Sequence, residues 1–148
     1  MYTYYIGLGS NLGDTREHLL RAVELMNQRI GQVAALSSFY ETEPWGFCSV
    51  HHFMNAVCKV VTPLQPLDLL EATQQIERLM GRKEKSVGGV YHDRIIDLDL
   101  LRCLDDQEQE VSFDDPRLKL PHPLMEQRDF VMNPLRELMV NGKLTTEE

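Results

Sequence analysis

Two aspartates spaced two apart, Asp97 and Asp99, interrupt an otherwise apolar run, Arg94-Ile95-Ile96-Asp97-Leu98-Asp99-Leu100-Leu101. Branched apolar residues dominate the run and no Gly or Pro breaks it, so it predicts a buried strand. Strand side chains alternate faces, which puts Asp97 and Asp99 on one face, ~7 Å apart. Ile96, Leu98 and Leu100 then face a core. Adjacent ionised carboxylates repel and resist desolvation unless something neutralises them. A hard divalent cation does so, and Mg²⁺ commonly takes one or two carboxylates together with phosphate oxygens. Arg94 adds a guanidinium suited to phosphate. The alternative is an edge strand whose two Asp face water and pair with Lys or Arg, although Asp is depleted in strands.

Other residues carry weaker signals. Trp45, the one tryptophan, lies beside Gly46 in a loop, where it can stack on a flat ligand or plug the core. Asn55 falls in a strand-like run that disfavours it, so its amide either reads a heterocycle or satisfies a bulge. His122 is fixed between Pro121 and Pro123, which suits phosphate contact or a structural hydrogen bond. His51-His52 has no neighbour at metal-ligand spacing and reads as exposed loop. Gly7-x-Gly9-x-x-x-Gly13 is one residue too long for a dinucleotide fingerprint and lacks the series of βαβ units that motif needs. The turn instead delivers backbone to a ligand rim or simply joins strand to helix. No P-loop motif is present.

The elements that must position these residues read in order. Tyr4–Gly9 is a first strand. Asp14, with Glu17 three residues on, starts a helix over about 15–29 carrying Leu19, Leu20, Val23 and Met26, with Gly31 as its stop. Val33–Tyr40 and Phe53–Val61 are strands. Pro66 opens a second amphipathic helix that Gly81 ends. A long loop, Arg82–Asp93, is a candidate lid. After the Asp97 strand, Asp105-Asp106 turns the chain, Glu110–Phe113 forms a short hairpin arm, and Asp115–Pro123 is a Pro-bounded loop. A helical turn covers about 124–128, Pro134 opens a last helix through Met139, and the tail from Asn141 is polar. The order β-α-β-β-α-β plus a short C-terminal extension is the ferredoxin-like α+β arrangement, an antiparallel sheet with helices packed on it. We expect residues 1–148 to form one domain.

Composition bounds the partners. A net charge of −8 argues against a broad nucleic-acid or anionic-membrane surface. Yet Arg82, Lys83, Lys85, Arg94, Arg102, Arg117, Lys119 and Arg128 are eight of the fifteen Lys and Arg, all within residues 81–128. Such a cluster near paired Asp fits a small polyphosphate with its metal, or is a solvated mixed-charge surface. Cys48, Cys58 and Cys103 are odd in number and form no C-x-x-C pair, which points to a reducing cytoplasm. No run suits a membrane span or signal peptide.

The ordered stretches Tyr5–Gly13, Ser38–Gly46, Phe53–Val57, Ile76-Glu77, Gly81-Arg82, Arg94–Asp99, Pro121-His122-Pro123 and Arg128–Val131 together resemble the 6-hydroxymethyl-7,8-dihydropterin pyrophosphokinase family. Each stretch alone is weak; R-x-x-D-L-D followed by P-H-P and R-x-F is specific. The resemblance implies transfer of pyrophosphate from MgATP to the pterin hydroxymethyl group, with release of AMP, in folate biosynthesis. It implies that Asp97 and Asp99 hold two Mg²⁺ ions. Thr42, Asn55 and Phe130, lined by Phe53 and Trp45, match pterin positions. Gln74, Glu77, Arg82, Arg94, Arg117 and His122 match ATP positions. Arg128 matches a phosphate-contacting arginine, and with Arg82, Arg94 and the two aspartates completes the catalytic set. We expect a cytoplasmic monomer.

Two positions depart from the family pattern. Glu84 stands where some members carry a second loop arginine, so that Lys85 is left to supply the charge, and Tyr91 stands where some carry Trp. Two rivals share parts of the pattern. A ferredoxin-like regulatory module explains the topology but gives Asp97 and Asp99 no task. A nucleotidyltransferase can also use D-x-D, but releases pyrophosphate and not AMP.

Overall fold

Strand β1, Tyr2–Ser10, is the centre of the sheet because both of its faces are apolar or glycine. Tyr4, Ile6 and Leu8 point to one side and are buried; Tyr5, Gly7 and Gly9 point to the other. The computed structural model describes residues 1–42, 52–81, 95–123, 125–128 and 131–139. Helix α1 spans Thr15–Arg29, and Asp14 caps it by accepting the Glu17 N–H at 3.2 Å. Strands β2 (Gln32–Leu36), β3 (Tyr40–Thr42) and β4 (Phe53–Thr62) follow, then helix α2 (Pro66–Leu79) and strand β5 (Asp97–Leu104). A small hairpin, β6 (Phe113–Asp115) and β7 (Leu118–Leu120), precedes a 3-10 turn at Met125–Gln127. Helix α3 covers residues 131–139.

The main sheet has the order β2-β4-β1-β5, with β3 continuing the pairing along β4, and every pairing is antiparallel. Each βαβ unit is split by a third strand, which is the ferredoxin-like order the sequence predicts. Helices α1 and α2 cover one face through Leu19, Ala22, Met26, Leu69 and Ile76, against Tyr4, Ile6, Ala56, Cys58, Leu98 and Leu100. The C-terminal segment covers the opposite face. Met125, Val131, Leu135 and Leu138 pack on Tyr5, Val57 and Leu101. Burial pushes the Cys58 thiol up to about 12, so it serves as packing.

Several boundaries differ from those read off the sequence. The expected strand Val33–Tyr40 is two strands. Between them Ser37 takes over the pairing, donating its N–H to the Val57 carbonyl and accepting the Val57 N–H on Oγ, both at 2.9 Å. The Asp97 strand starts at Asp97 and runs three residues past the expected Leu101. Glu110 makes only an isolated bridge to Leu104, and the hairpin lies further on. Asp115–Pro123 is therefore not a plain loop: it holds the end of β6 and all of β7, whose turn is fixed by Asp115 accepting the Arg117 N–H at 2.9 Å. Pro134 does not open helix α3: residues 131–133 are already helical, and the Met132 N–H donates to the Arg128 carbonyl at 2.9 Å. The Arg82–Asp93 loop lies outside the described residues.

Gly31 ends α1 for a reason periodicity does not reveal. A Cβ there would lie 2.3 Å from the Val61 carbonyl oxygen and 3.0 Å from Thr62 Cβ. The helix exit therefore presses backbone to backbone against β4. Gly31→Ala must push the two apart, and we expect a loss of about 2 kcal/mol of stability. Thermal melting should show this as a fall of roughly 4–8 °C; an unchanged midpoint would show that the contact yields freely.

Candidate active site

The register across β4, β1 and β5 builds the site's floor. Gly9 pairs with Asn55 on one side and with Asp97 on the other. Gly7 pairs likewise with Val57 and Asp99. Directly paired residues share a face, so Asn55, Asp97 and Asp99 rise from the face opposite α1 and α2. Two glycines lie between them, and a Cβ on Gly7 would meet the Leu101 side chain at 3.5 Å. A Cβ on Gly9 would meet Asn55 Oδ1 at 3.1 Å and the Phe53 ring at 3.6 Å. Glycine there is what lets the Asn55 amide and the Phe53 ring close over the central strand. Asn55 is buried, while Phe53, Asp97 and Asp99 are half-buried.

The outer edge of β5 forms a second wall. A cleft of about 300 Å³ is lined by Gln74 and Leu70 of α2, by Leu98, Asp99 and Leu100 of β5, and by Arg117, Lys119 and His122 around the small hairpin. Four residues named from sequence, Gln74, Asp99, Arg117 and His122, thus meet in one concavity. Asp99 belongs both to this cleft and to the glycine floor.

A bulge helps to assemble it. Ile6 pairs with Leu100 but Tyr5 with Arg102, so Leu101 is an extra residue in β5. The Leu101 carbonyl accepts the His122 N–H at 2.8 Å, which anchors the Pro121-His122-Pro123 segment beside the aspartates. Arg117 is held by Asp115, whose Oδ1 accepts its Nε–H at 3.0 Å. That hydrogen bond lowers the Asp115 carboxyl below its usual range and raises the arginine.

Glu77 has a further task. It is 3% exposed, and its Oε2 accepts the Leu98 N–H at 2.7 Å. Leu98 lies between the two aspartates on β5, at the edge of the described sheet, and its backbone N–H faces away from β1. Glu77 therefore braces the strand that carries Asp97 and Asp99.

Thr42 lies on β3 opposite Phe53, and Tyr40 opposite Asn55. Arg128, 5% exposed, is withdrawn from bulk water just after the 3-10 turn. Trp45, Arg82, Lys85, Arg94 and Phe130 lie outside the described residues. Sequence reasoning counted Lys119 among the clustered cations but gave it no place in the cleft. The two-residue spacing of Gly7 and Gly9 on a strand was the available signal for side chains closing over the central strand.

The donor set suits Mg²⁺. Two carboxylates two residues apart share a face, each paired with a glycine of β1, and the cleft next to them is lined by Arg117, Lys119 and His122, which suit phosphate. Among the described residues no group of three or more His, Cys, Asp or Glu gathers. Among the same residues no helix is long and apolar enough to cross a membrane.

Comparison with known proteins supplies the lineage. The family model described as 7,8-dihydro-6-hydroxymethylpterin-pyrophosphokinase (HPPK) matches residues 5–140. The chain is 51% identical over 138 residues to a 2-amino-4-hydroxy-6-hydroxymethyldihydropteridine pyrophosphokinase of Porphyromonas gingivalis, covering 93% of this chain and 91% of that one. The protein of the same name from Aquifex aeolicus is 38% identical over 141 residues, covering 95% and 82%. In fold, the chain resembles a solved HPPK-DHPS in complex with substrates, with a TM-score of 0.70 at 13% identity; the match covers 93% of this chain and 40% of that one. With both the site and the relatives in view, this chain belongs to the 7,8-dihydro-6-hydroxymethylpterin-pyrophosphokinase family of enzymes.

Proposed function

We propose that this chain transfers the pyrophosphoryl group of ATP to the hydroxymethyl oxygen of 6-hydroxymethyl-7,8-dihydropterin, releasing AMP. The observation that carries the reading is the meeting of Gln74, Asp99, Arg117 and His122 in one cleft, with Asn55 and Phe53 closed over Gly9 of the central strand. One wall suits a nucleotide with its polyphosphate. The other suits a flat heterocycle, which a buried carboxamide can read and an aromatic ring can cover.

In the reaction the alcohol oxygen attacks the β-phosphorus. The bond from that phosphorus to the oxygen bridging it to the α-phosphate breaks, AMP leaves, and the hydroxyl proton passes to solvent. Such a transfer needs alignment and charge neutralisation more than covalent help from protein. Asp97 and Asp99 would hold two Mg²⁺ ions, which when bound neutralise the triphosphate and acidify the attacking hydroxyl. Arg117 and His122 orient the nucleotide from the hairpin side, and Gln74 from α2. Arg82, Arg94, Lys85 and Arg128 are the further cations we assign to the transferring and leaving oxygens. Thr42, Trp45 and Phe130 complete the pterin pocket. The Arg82–Asp93 loop, closing over both substrates, would keep water from the phosphorus. The enzyme works in this reading as a cytoplasmic monomer.

Separate walls predict separable losses. Asn55→Ala should weaken pterin binding by roughly 30-fold or more, since it deletes a buried hydrogen-bonding group, and leave ATP affinity within about twofold. Arg117→Ala should weaken ATP by about fivefold and spare pterin. Calorimetric titration of each variant with pterin and with a non-hydrolysable ATP analogue in Mg²⁺ reads both. Equal losses of both ligands in either variant would contradict the two-walled site.

A further inference from the structure

Glu137 does not line the cleft, yet its carboxylate accepts three hydrogen bonds. It projects from α3, and one oxygen accepts both the Ser38 N–H at 2.9 Å and the Ser38 hydroxyl at 3.1 Å. The other accepts the Tyr40 hydroxyl at 2.7 Å. Burial alone would raise the Glu137 carboxyl, but the bonds from Tyr40 and Ser38 outweigh it and hold the group below its usual range. These contacts join residues nearly a hundred positions apart.

Their location gives them a purpose. Tyr40 pairs with Asn55, and Thr42 pairs with Phe53, so the clasped segment is the strand that carries one wall of the heterocycle site. Helix α3, described over residues 131–139, carries Glu137 to the side of β3. On its inner side α3 is seated through Leu135 and Leu138 on the sheet. Apolar packing fixes how deep a helix sits but is non-directional along its axis. A carboxylate accepting three directed hydrogen bonds fixes that remaining freedom.

We infer that Glu137 is a positioning residue for the pterin site: its clasp on Ser38 and Tyr40 holds β3, and through it Asn55 and Phe53, in register against α3. The inference rests on the pterin reading above. Glu137 touches no substrate and acts through Tyr40 and Asn55. It therefore governs the fit of the flat ring and leaves the nucleotide cleft, built from α2, β5 and the β6-β7 hairpin, untouched.

The test compares Glu137→Ala, Glu137→Gln and Tyr40→Phe with the wild type and with Asn55→Ala. Each is titrated with 6-hydroxymethylpterin in the presence of Mg²⁺ and a non-hydrolysable ATP analogue, and with the analogue alone. Glu137→Ala should weaken pterin by about tenfold and the nucleotide by less than twofold. Glu137→Gln, which keeps one oxygen acceptor, should recover part of that loss. Tyr40→Phe should cost about threefold alone and nothing further in the Glu137→Ala background. Should Glu137→Ala fail to fold, Tyr40→Phe still decides, because it removes one hydroxyl from a half-buried ring. A lowered melting point with pterin affinity unchanged, or with both ligands weakened equally, overturns the inference and leaves Glu137 a fastening of the fold. Failure of the wild type to bind pterin, or full pterin affinity in Asn55→Ala, overturns the site reading itself and the inference with it.

Discussion

Replacing Asp97 or Asp99 by alanine is expected to lower turnover by roughly 10³-fold or more while the chain stays folded. The register carries the argument. Both carboxylates stand beside glycines of β1, Asp97 beside Gly9 and Asp99 beside Gly7, so no neighbouring side chain on that strand can take their place. Both are half-buried, and their side chains face the site, whereas Ile96, Leu98 and Leu100 on the other face anchor the strand in the core. Alanine therefore removes charge from the site and little packing from the fold. It also relieves the repulsion of like charges on one face, so the melting point should hold or rise. Steady-state turnover at saturating ATP and Mg²⁺, beside thermal melts, separates the two effects. Near-normal turnover in either variant would remove the metal assignment.

The second large effect is expected at Glu77. Glu77→Ala deletes the acceptor that the Leu98 N–H uses at 2.7 Å and opens space at a site only 3% exposed. A buried donor stripped of its acceptor costs about 1–3 kcal/mol, and the lost packing adds to it. A total near 3 kcal/mol lowers the melting point by roughly 6–12 °C in a chain of this size. Activity should fall as well, by about tenfold or more, because the strand loosened is the one between the two aspartates. Glu77→Gln keeps a carbonyl oxygen at the same reach and should recover most of the stability. If Glu77→Ala melted with the wild type, the brace would have no weight, and Glu77 would be left only its place in the nucleotide site.

The sequence was most informative where one periodicity met one clear signal. Asp97 and Asp99 on one face, with Ile96, Leu98 and Leu100 on the other, needed only the alternation of a strand. Helix α1 was bounded by Asp14 and its apolar stripe, and α2 began at Pro66 as expected. The element order alone pointed to the sheet topology. What was not legible depends on partners distant in the chain. Ser37 breaks an apparently continuous strand because it bonds to Val57, twenty residues away. The bulge at Leu101 follows from the match with β1, and its carbonyl then places His122. Gly31 reads as a helix stop, yet what demands glycine is the closeness of the Val61 backbone. Glu137 has no local signature at all; its partners are Ser38 and Tyr40. The candidate site divides in the same way. The residue types came from pattern and resemblance, but the cleft that joins Gln74, Arg117 and His122 to Asp99 needed the hairpin β6-β7, which the Pro-bounded stretch hid.

The central claim is the transfer of pyrophosphate, and product analysis tests it most directly. The chain is incubated with ATP, Mg²⁺ and 6-hydroxymethyl-7,8-dihydropterin, and the nucleotide and pterin products are separated and identified. The account predicts AMP and the pterin pyrophosphate in equal amounts, with both lost on adding EDTA. ADP with a pterin monophosphate, free pyrophosphate with an adenylylated pterin, or ATP bound without turnover would each contradict it.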